Sequence, residues 1–324
     1  MGNSLRSLVL VLGLSGLFAA PISWGQAWPQ KPVRVVVGNA PGSLSDVLSR
    51  QIFNNVGQSL GQSFVIDNRA GAGGALAAEA VAKSSPDGYT LLFGTDGIMA
   101  INPFVYSKLG YDPLRDFAAV SLLAKLPYVL IVNPSLGAKS MEEFISLAKA
   151  RPMQINYASG GNGHATHLEM ELLARKAGIR LVHVPYKGTS PALQAVVSGE
   201  VGANFIGLGI ALPQIASGKV LALAIGGPRE KDVLPRVPDL LAKVPDSEYV
   251  SWMGLFVPAA TPKPVIDKLN AAVVKALQSA DARARLVELG MASIGSSPGE
   301  LAQELRSNLN VTRELVKSLG LKMD

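Results

Sequence analysis

The sequence predicts a mixed α/β protein with two sheets, each flanked by helices, and a hinge where the chain passes between them. Three observations carry this. Short β-branched runs alternate with stretches of helical periodicity; two such series stand on either side of Pro127; and a late apolar run at 252–258 returns the chain toward the first. The 324 residues are enough for two packed units, and 48% hydrophobic with 17% charged residues is the balance of a folded chain.

Residues 1–7 are short and carry Arg6, LVLVLGLSGLFAA is an apolar run of 13 residues, and Gly25-Gln26-Ala27 supplies small residues at minus three and minus one. This pattern predicts a secretory leader spanning 1–27, cleaved near Ala27, with the mature chain starting at Trp28. The alternative, a membrane anchor, needs roughly 20 apolar residues. The chain has no cysteine, which excludes a lipid-anchoring Cys at the cleavage site and a disulfide scaffold. An exported, Cys-free chain is best retained between two membranes, so a bacterial periplasm is expected. The net charge is +6, and losing Arg6 with the leader lowers it by one. The basic residues are scattered, without blocks or interleaved aromatics, so nucleic acid is not an expected partner.

In the first series VRVVV (33–37), FVID (64–67) and YTLLFG (89–94) are expected strands. Leu48, Ile52, Val56 and Leu60 recur every four residues between the first two, and Gly61 stands where a helix would stop. Such a βαβ rhythm predicts a partly parallel sheet. The second series comprises VLIV (129–132), INYAS (155–159), LVHV (181–184), VGANFI (201–206) and VLALAI (220–225), with MEEFISLAKA, HLEMELLARKAG and PALQAVVSG as helices between them. WMGLFVP (252–258) is one more strand, followed by helices only, over 264–279, 282–289 and 298–319. The expected division is therefore 28–126 plus 252–324 as one lobe and 127–251 as the other.

GNAPGSLSD (38–46) lies at the carboxyl end of the first strand and the amino end of the first helix, where open α/β sheets bind ligands. Gly42 permits unusual backbone shapes, Ser43 and Ser45 offer hydroxyls, and a helix start presents unpaired N–H groups to an anion. A carboxylate cradle is one reading; an ordinary turn capped by Ser45 or Asp46 is the other. The construction recurs in GTDGIM (94–99), SGGNGHAT (159–166) and KGTSPA (187–192), the last with Ser190 as cap and Pro191 in first helical position. Four such loops exceed what chain reversal requires, and a cleft between lobes would use two from each side.

Other motifs favour plainer roles. RAGAGGALAAEA (69–80) breaks the G-x-G-x-x-G spacing at Leu76, so close helix-to-strand packing is expected rather than a dinucleotide site. GSSPG (295–299) has no histidine after it to complete a hydrolase triad, and is expected to be a helix cap with Ser297, Pro298 and Glu300. His164, His167 and Glu171 imitate a metal face but lack further spaced ligands, and His183, inside a strand, is expected to be structural. With three histidines, no cysteine and no triad, the chain is expected to hold something rather than transform it. No enzyme activity, cofactor or metal is expected.

KPVRVVVGNAPGSLSDVLSR, VIDNRAGAGGALAAEAVAKSSPDGYTLLFGT, INPFVYSKLGYDPLRDF, INYASGGNGHATHLEMELL, LVHVPYKGTSPAL and WMGLFVPAATPKPVIDKLN resemble, in order and over essentially the whole mature chain, the substrate-binding proteins of tripartite tricarboxylate transporters, the Bug family. The resemblance implies a two-lobed periplasmic binding protein fold of the type II kind. It also implies a monomer that closes on a small carboxylate and presents it to membrane permease subunits, gripping through the loops after the first strand and at SGGNG. Loops and resemblance together give the expected ligand-binding set: Asn39, Pro41, Gly42, Ser43, Leu44, Ser45, Thr95, Asp96, Met99, Ser159, Gly161, Asn162, Gly163, His164, Ala165, Thr166, Tyr186, Phe205, Ile206, Leu208 and Gly209.

The departures are specific. APGSLSD stands where the family reads close to PPGGSTD, so Leu44 replaces a polar residue; Met99 stands where His is common; FIGLGIALP (205–213) replaces a pattern near FDNLPSALP, so Ile206 removes an acid and Gly209 a proline; His164 and Ala165 replace small hydroxyl residues. An apolar wall of Leu44, Ile206, Leu208 and Met99 is inferred. It points to an acid with an apolar or aromatic body, of the terephthalate kind, and away from citrate-like ligands and from amino acids that need a counter-charge. A sensory accessory for the same acids is the alternative, with a periplasmic enzyme behind it.

Overall fold

The computed structural model describes residues 28–229 and 233–320; the leader expected at 1–27 lies outside them. Two mixed sheets, flanked by helices, divide the strands between them.

The larger sheet begins with β1 (Val33–Val37), whose Val33, Val35 and Val37 face one hydrophobic core and Val36 the other, all fully buried. A strand covered on both faces favours an unbroken β-branched run, which is why VRVVV shows no polar alternation beyond Arg34. It pairs in parallel with β2 (Phe64–Asn68) and β3 (Thr90–Thr95). Helix α1 (Leu44–Leu60) connects β1 to β2, burying Leu48, Ile52 and Val56 and ending at Gly61 in the left-handed region, φ 68°. Ser43, not Ser45 or Asp46, is its N-cap. Helix α2 (Ala75–Ala82) follows a glycine turn that fits the close-packing reading: a Cβ on Gly74 would stand 2.6 Å from Ile98 Cδ1, and one on Gly38 would stand 2.9 Å from Gly74 Cα. After β3 comes a π-helical turn at Gly97–Ile101 and the short α3 (Asn102–Val105).

The sheet is completed by β4 (Phe117–Leu126), a ten-residue strand absent from the sequence-based element list. It pairs antiparallel with a strand near the far end of the chain, Ser251–Pro258, and the register shifts twice, skipping Leu123 and Val120. Both skipped residues turn into the same core, so apolar positions recur at a spacing of three, and FAAVSLLAKL mimics a helix.

The smaller sheet contains β5 (Tyr128–Val132), β6 (Asn156–Ser159), β7 (Val182–Pro185), β8 (Ala203–Gly207) and β9 (Leu221–Gly226), in the order β7-β6-β8-β5-β9. Its helices are α4 (Met141–Ala150), α5 (Ala165–Ala177), α6 (Thr189–Ser198), α7 (Leu208–Ala216) and the short α8 (Leu240–Lys243). Helix α6 starts two residues earlier than the Ser190 cap reading, after Gly188, because that glycine adopts φ 110° and turns the chain directly into the helix.

The returning strand is β10 (Ser251–Pro258), and α9 (Lys263–Leu277), α10 (Ala280–Glu288), β11 (Ala292–Ser293) and α11 (Pro298–Leu319) close the chain. The larger sheet therefore runs β11-β4-β10-β3-β1-β2. The two-residue β11 corrects the expectation of helices only after 258; it caps the outer edge of β4. Ser297 and Glu300 form the anticipated capping box on α11. Helix α11 enters both cores: Leu301, Leu305 and Leu309 pack in that of the larger sheet, Leu315 and Val316 in that of the smaller. Between them Asn308 accepts from Trp252 Nε1 at 2.9 Å, and Thr312 meets the Tyr249 hydroxyl at 3.2 Å. No helix among the described residues is long and apolar enough to cross a membrane.

Candidate functional site

Strand polarity brings the first loop (38–46), the β3 end and the second loop (159–166) to one cavity of about 880 Å³ between the sheets. The larger sheet lends it Asn39, Leu44, Ser45, Thr95 and Asp96, and the smaller sheet Gly160, Gly161, Asn162, Gly163, His164, Ala165 and Gly209. The remaining wall is largely apolar, with Ile101, Val105, Leu126, Tyr128, Met253 and Leu289.

The first loop is organised around an acid. Asp46 accepts from Gly42 N–H at 2.9 Å, its own N–H bonds Ser43 Oγ at 3.3 Å, and Arg50 pairs with it at 2.9 Å. The Arg50 hydrogen bond holds the Asp46 carboxyl below its usual range. Gly42 takes φ 80°, the left-handed region, which lets its N–H turn back to that carboxylate. Leu44 and Ser45 N–H, the first of α1, have no hydrogen-bond partner among the described residues.

The second loop is organised around neutral imidazoles. His164 is the N-cap of α5 and accepts Thr166 N–H on Nδ1 at 3.2 Å, while Thr166 Oγ1 takes Gly160 N–H at 3.0 Å. His167 Nδ1 accepts Gly163 N–H at 3.1 Å. His183 stacks on His167 with centroids 3.8 Å apart and places Nε2 2.6 Å from Ser159 Oγ, which takes Gly161 N–H at 3.1 Å. Burial lowers the basicity of all three rings, to about 3 for His167 and about 4 for His183. A ring that accepts on Nδ1 must be uncharged, so hydrogen bonding and burial agree. Asn162 and Ala165 N–H have no partner among the described residues. Glu171, once a companion in the metal reading, instead takes the Tyr157 hydroxyl, and no metal-holding cluster occurs among the described residues.

Several expected site residues lie elsewhere. Met99, Phe205, Ile206 and Leu208 are at most 2% exposed and belong to the cores, so the wall inferred from Ile206, Leu208 and Met99 is not where it was expected. For Phe205, Ile206 and Leu208 the cause is that β8 lies inside the smaller sheet between β6 and β5, and successive side chains at its end turn to the helical layers on its two faces, while Met99 turns from the π-helical turn into a core of the larger sheet. Leu44 does line the cavity. Pro41, Gly42, Ser43, Ser159 and Thr166 shape the loops without lining it, and Tyr186 buttresses the second loop by donating its N–H to Ser159 O at 3.0 Å while its hydroxyl bonds Glu200 at 2.7 Å. Gly209 meets Gly290 across the mouth, where a Cβ would stand 2.9 Å from Leu289 O. Ile101, Asn102, Val105 and Tyr106 were missed as individuals, although all four fall in the quoted INPFVYSKLGYDPLRDF.

Among the described residues, Asp96 is the one buried acid that lines the cavity. It is 4% exposed; Ser251 donates to Oδ1 at 2.7 Å, and Oδ2 has no hydrogen-bond partner. Burial pushes its carboxyl up to about 6 against the pull of Ser251 and the N–H groups of Gly97 and Trp252.

Residues 48–321 match the profile of the tripartite tricarboxylate transporter family receptor. The chain is 32% identical over 321 residues to Protein BugT of Bordetella pertussis, covering 95% of this chain and 98% of that one. Among solved structures it is similar to a Rhodopseudomonas palustris protein with adipate, at 34% identity and TM-score 0.74 over 91% of this chain and 99% of that one. It is also similar to MatC from the same organism with bound malate, at 35% identity and TM-score 0.71 over 89% and 100%. The family is one of receptors rather than enzymes, which agrees with a cleft that offers amide donors and an apolar wall in place of a nucleophile and base. On a match that spans most of its length, the chain belongs to the tripartite tricarboxylate transporter receptor family.

Proposed function

We propose that this protein is a periplasmic receptor that captures a small carboxylate with an apolar or aromatic body between two lobes, 28–126 plus 252–324 and 127–251, and delivers it to membrane permease subunits. One observation carries the reading: two helix starts, one from each sheet, face a single cavity with uncommitted N–H groups at Leu44, Ser45, Asn162 and Ala165, while much of the remaining wall is apolar. Each charge-assisted bond from such a donor contributes about 1.5 to 3 kcal/mol, and burying a ring adds a comparable amount. Two or three bonds and one apolar body, less the cost of closing the cleft, suit micromolar binding. The adipate in the R. palustris relative is an acid with an apolar middle. The malate in MatC is not, and Leu44 in place of a polar residue is the feature that turns this chain toward the former class.

Calorimetric titration of the purified protein with benzoate, terephthalate, adipate, malate and citrate tests the proposal. Benzoate-type acids or adipate are expected to bind at least tenfold tighter than citrate. Tighter binding of citrate, or no heat from any acid, overturns it.

A further inference from the structure

The cavity has two poles of opposite character. The helix starts of both sheets attract an anion, and the end of β3 presents a buried acid to the same space. Strands β1 and β3 are hydrogen-bonded neighbours, so Asp96 stands one strand over from Asn39, on the floor beside the chain crossings at Pro127 and Ser251. No ion pair reaches it among the described residues: Ser251 donates to Oδ1, the N–H groups of Gly97 and Trp252 offset part of its charge, and Oδ2 lies buried without a hydrogen-bond partner. A buried acceptor left without a partner is costly, more so when charged, and a ligand that supplies a donor recovers that cost.

We infer that Asp96 selects the far end of the ligand, accepting a hydrogen bond through Oδ2 from a hydroxyl or amino group, so that the preferred guest is an apolar-bodied acid with one carboxylate and one donor rather than a second ionised carboxylate. This deepens the carboxylate-receptor reading and rests on it. A second carboxylate placed at the floor meets a like charge in a site of low dielectric and has no proton to offer. When Asp96 itself takes a proton it becomes a donor, and the preference reverses. Around it, burial and the Asp96 charge push Tyr128 and Tyr249 up, burial raises Glu169 behind Tyr249 and lowers His164, and Glu288 at the mouth pairs with Arg285 at 2.8 Å.

The test compares two matched sets, benzoate with para-hydroxybenzoate and terephthalate, and hexanoate with ω-hydroxyhexanoate and adipate, titrated into the purified chain and into its Asp96→Asn variant. The variant is isosteric. With Ser251 holding the amide oxygen, its NH₂ takes the place of Oδ2 and turns an acceptor into a donor. At about pH 7.5 the wild-type chain is expected to bind at least one hydroxy acid tenfold or more tighter than its unsubstituted parent and than the matching diacid. In the variant the diacid becomes the tightest of its set, and in the wild type alone diacid affinity rises several-fold as pH falls from 7.5 to 5. Equal affinity across each set in the wild type, or an unchanged ranking in a variant whose circular dichroism is native, overturns this inference alone. Failure of every acid to bind wild-type protein overturns the receptor reading along with it.

Discussion

The first and second loops do the same job with opposite chemistry. At the first, an ionised Asp46 is built into the helix start and already answers the positive end of α1. At the second, the cap is the neutral ring of His164, backed by the His167–His183 stack, so the start of α5 keeps its field for a guest. The lesson is that a small polar loop before a helix is not enough to identify an anion seat; what matters is whether the cap carries its own charge. On this basis the start of α5 is the stronger of the two proposed carboxylate seats.

The largest effect should come from removing single amides. Ala165 and Leu44 each occupy the first position of their helix, where proline is tolerated, and the residues before them are already extended. Ala165→Pro should lose one charge-assisted bond, about 1.5 to 3 kcal/mol or roughly tenfold to a hundredfold in Kd. Leu44→Pro should lose less than Ala165→Pro, and calorimetry showing the reverse order breaks the comparison. A smaller effect of opposite sign is expected from Asp46→Asn, which keeps an acceptor for Gly42 N–H but removes the charge from α1. Affinity for a carboxylate should rise roughly twofold to fivefold at low salt while stability falls by about 1 kcal/mol, measured by calorimetry and urea unfolding.

A further effect concerns pH. His167 is held at about 3 in the folded chain, far below its unfolded value of about 6.5. Below that value the unfolded chain takes up a proton that the folded chain refuses, so the contribution of this group to stability is full above pH 6.5 and falls progressively as pH drops toward 3. Asp46, with its pKa depressed, keeps its contribution down to the carboxylate range and loses it only below. His167→Asn retains an acceptor for Gly163 N–H and cannot titrate. Its Tm should therefore fall less than that of the wild type between pH 7 and 4.5; parallel curves would show that the imidazole stack is not what ties the second loop to acidity.

Much of this was legible before any coordinates. Strands such as β1 and β5 announce themselves because burial on both faces demands an unbroken β-branched run, and α1 because its four-residue rhythm ends on a glycine. Strand β4 stayed hidden since two bulges against β10 convert its alternation into a spacing of three. Loop chemistry at 39–45 and 159–166 was readable from residue types, but which amides were spent on internal caps was not, as that depends on where Asp46 and His167 point. Ile206 and Leu208 were misplaced for a related reason: adjacency in sequence to a pocket-lining glycine does not set which way a side chain faces at the end of an inner strand. The unpartnered oxygen of Asp96 has no sequence signature at all.

Helix α11 places a demand on any such capture. Its early turns are rooted in one core and its last turns in the other, with Asn308 and Thr312 pinned beside the strand and segment that pass between them. If the sheets swing together over a guest, the rod cannot ride with either as a rigid passenger. It has to flex or slip within the stretch of about 1.7 turns from Leu309 to Leu315, and that stretch limits how wide the jaws can gape.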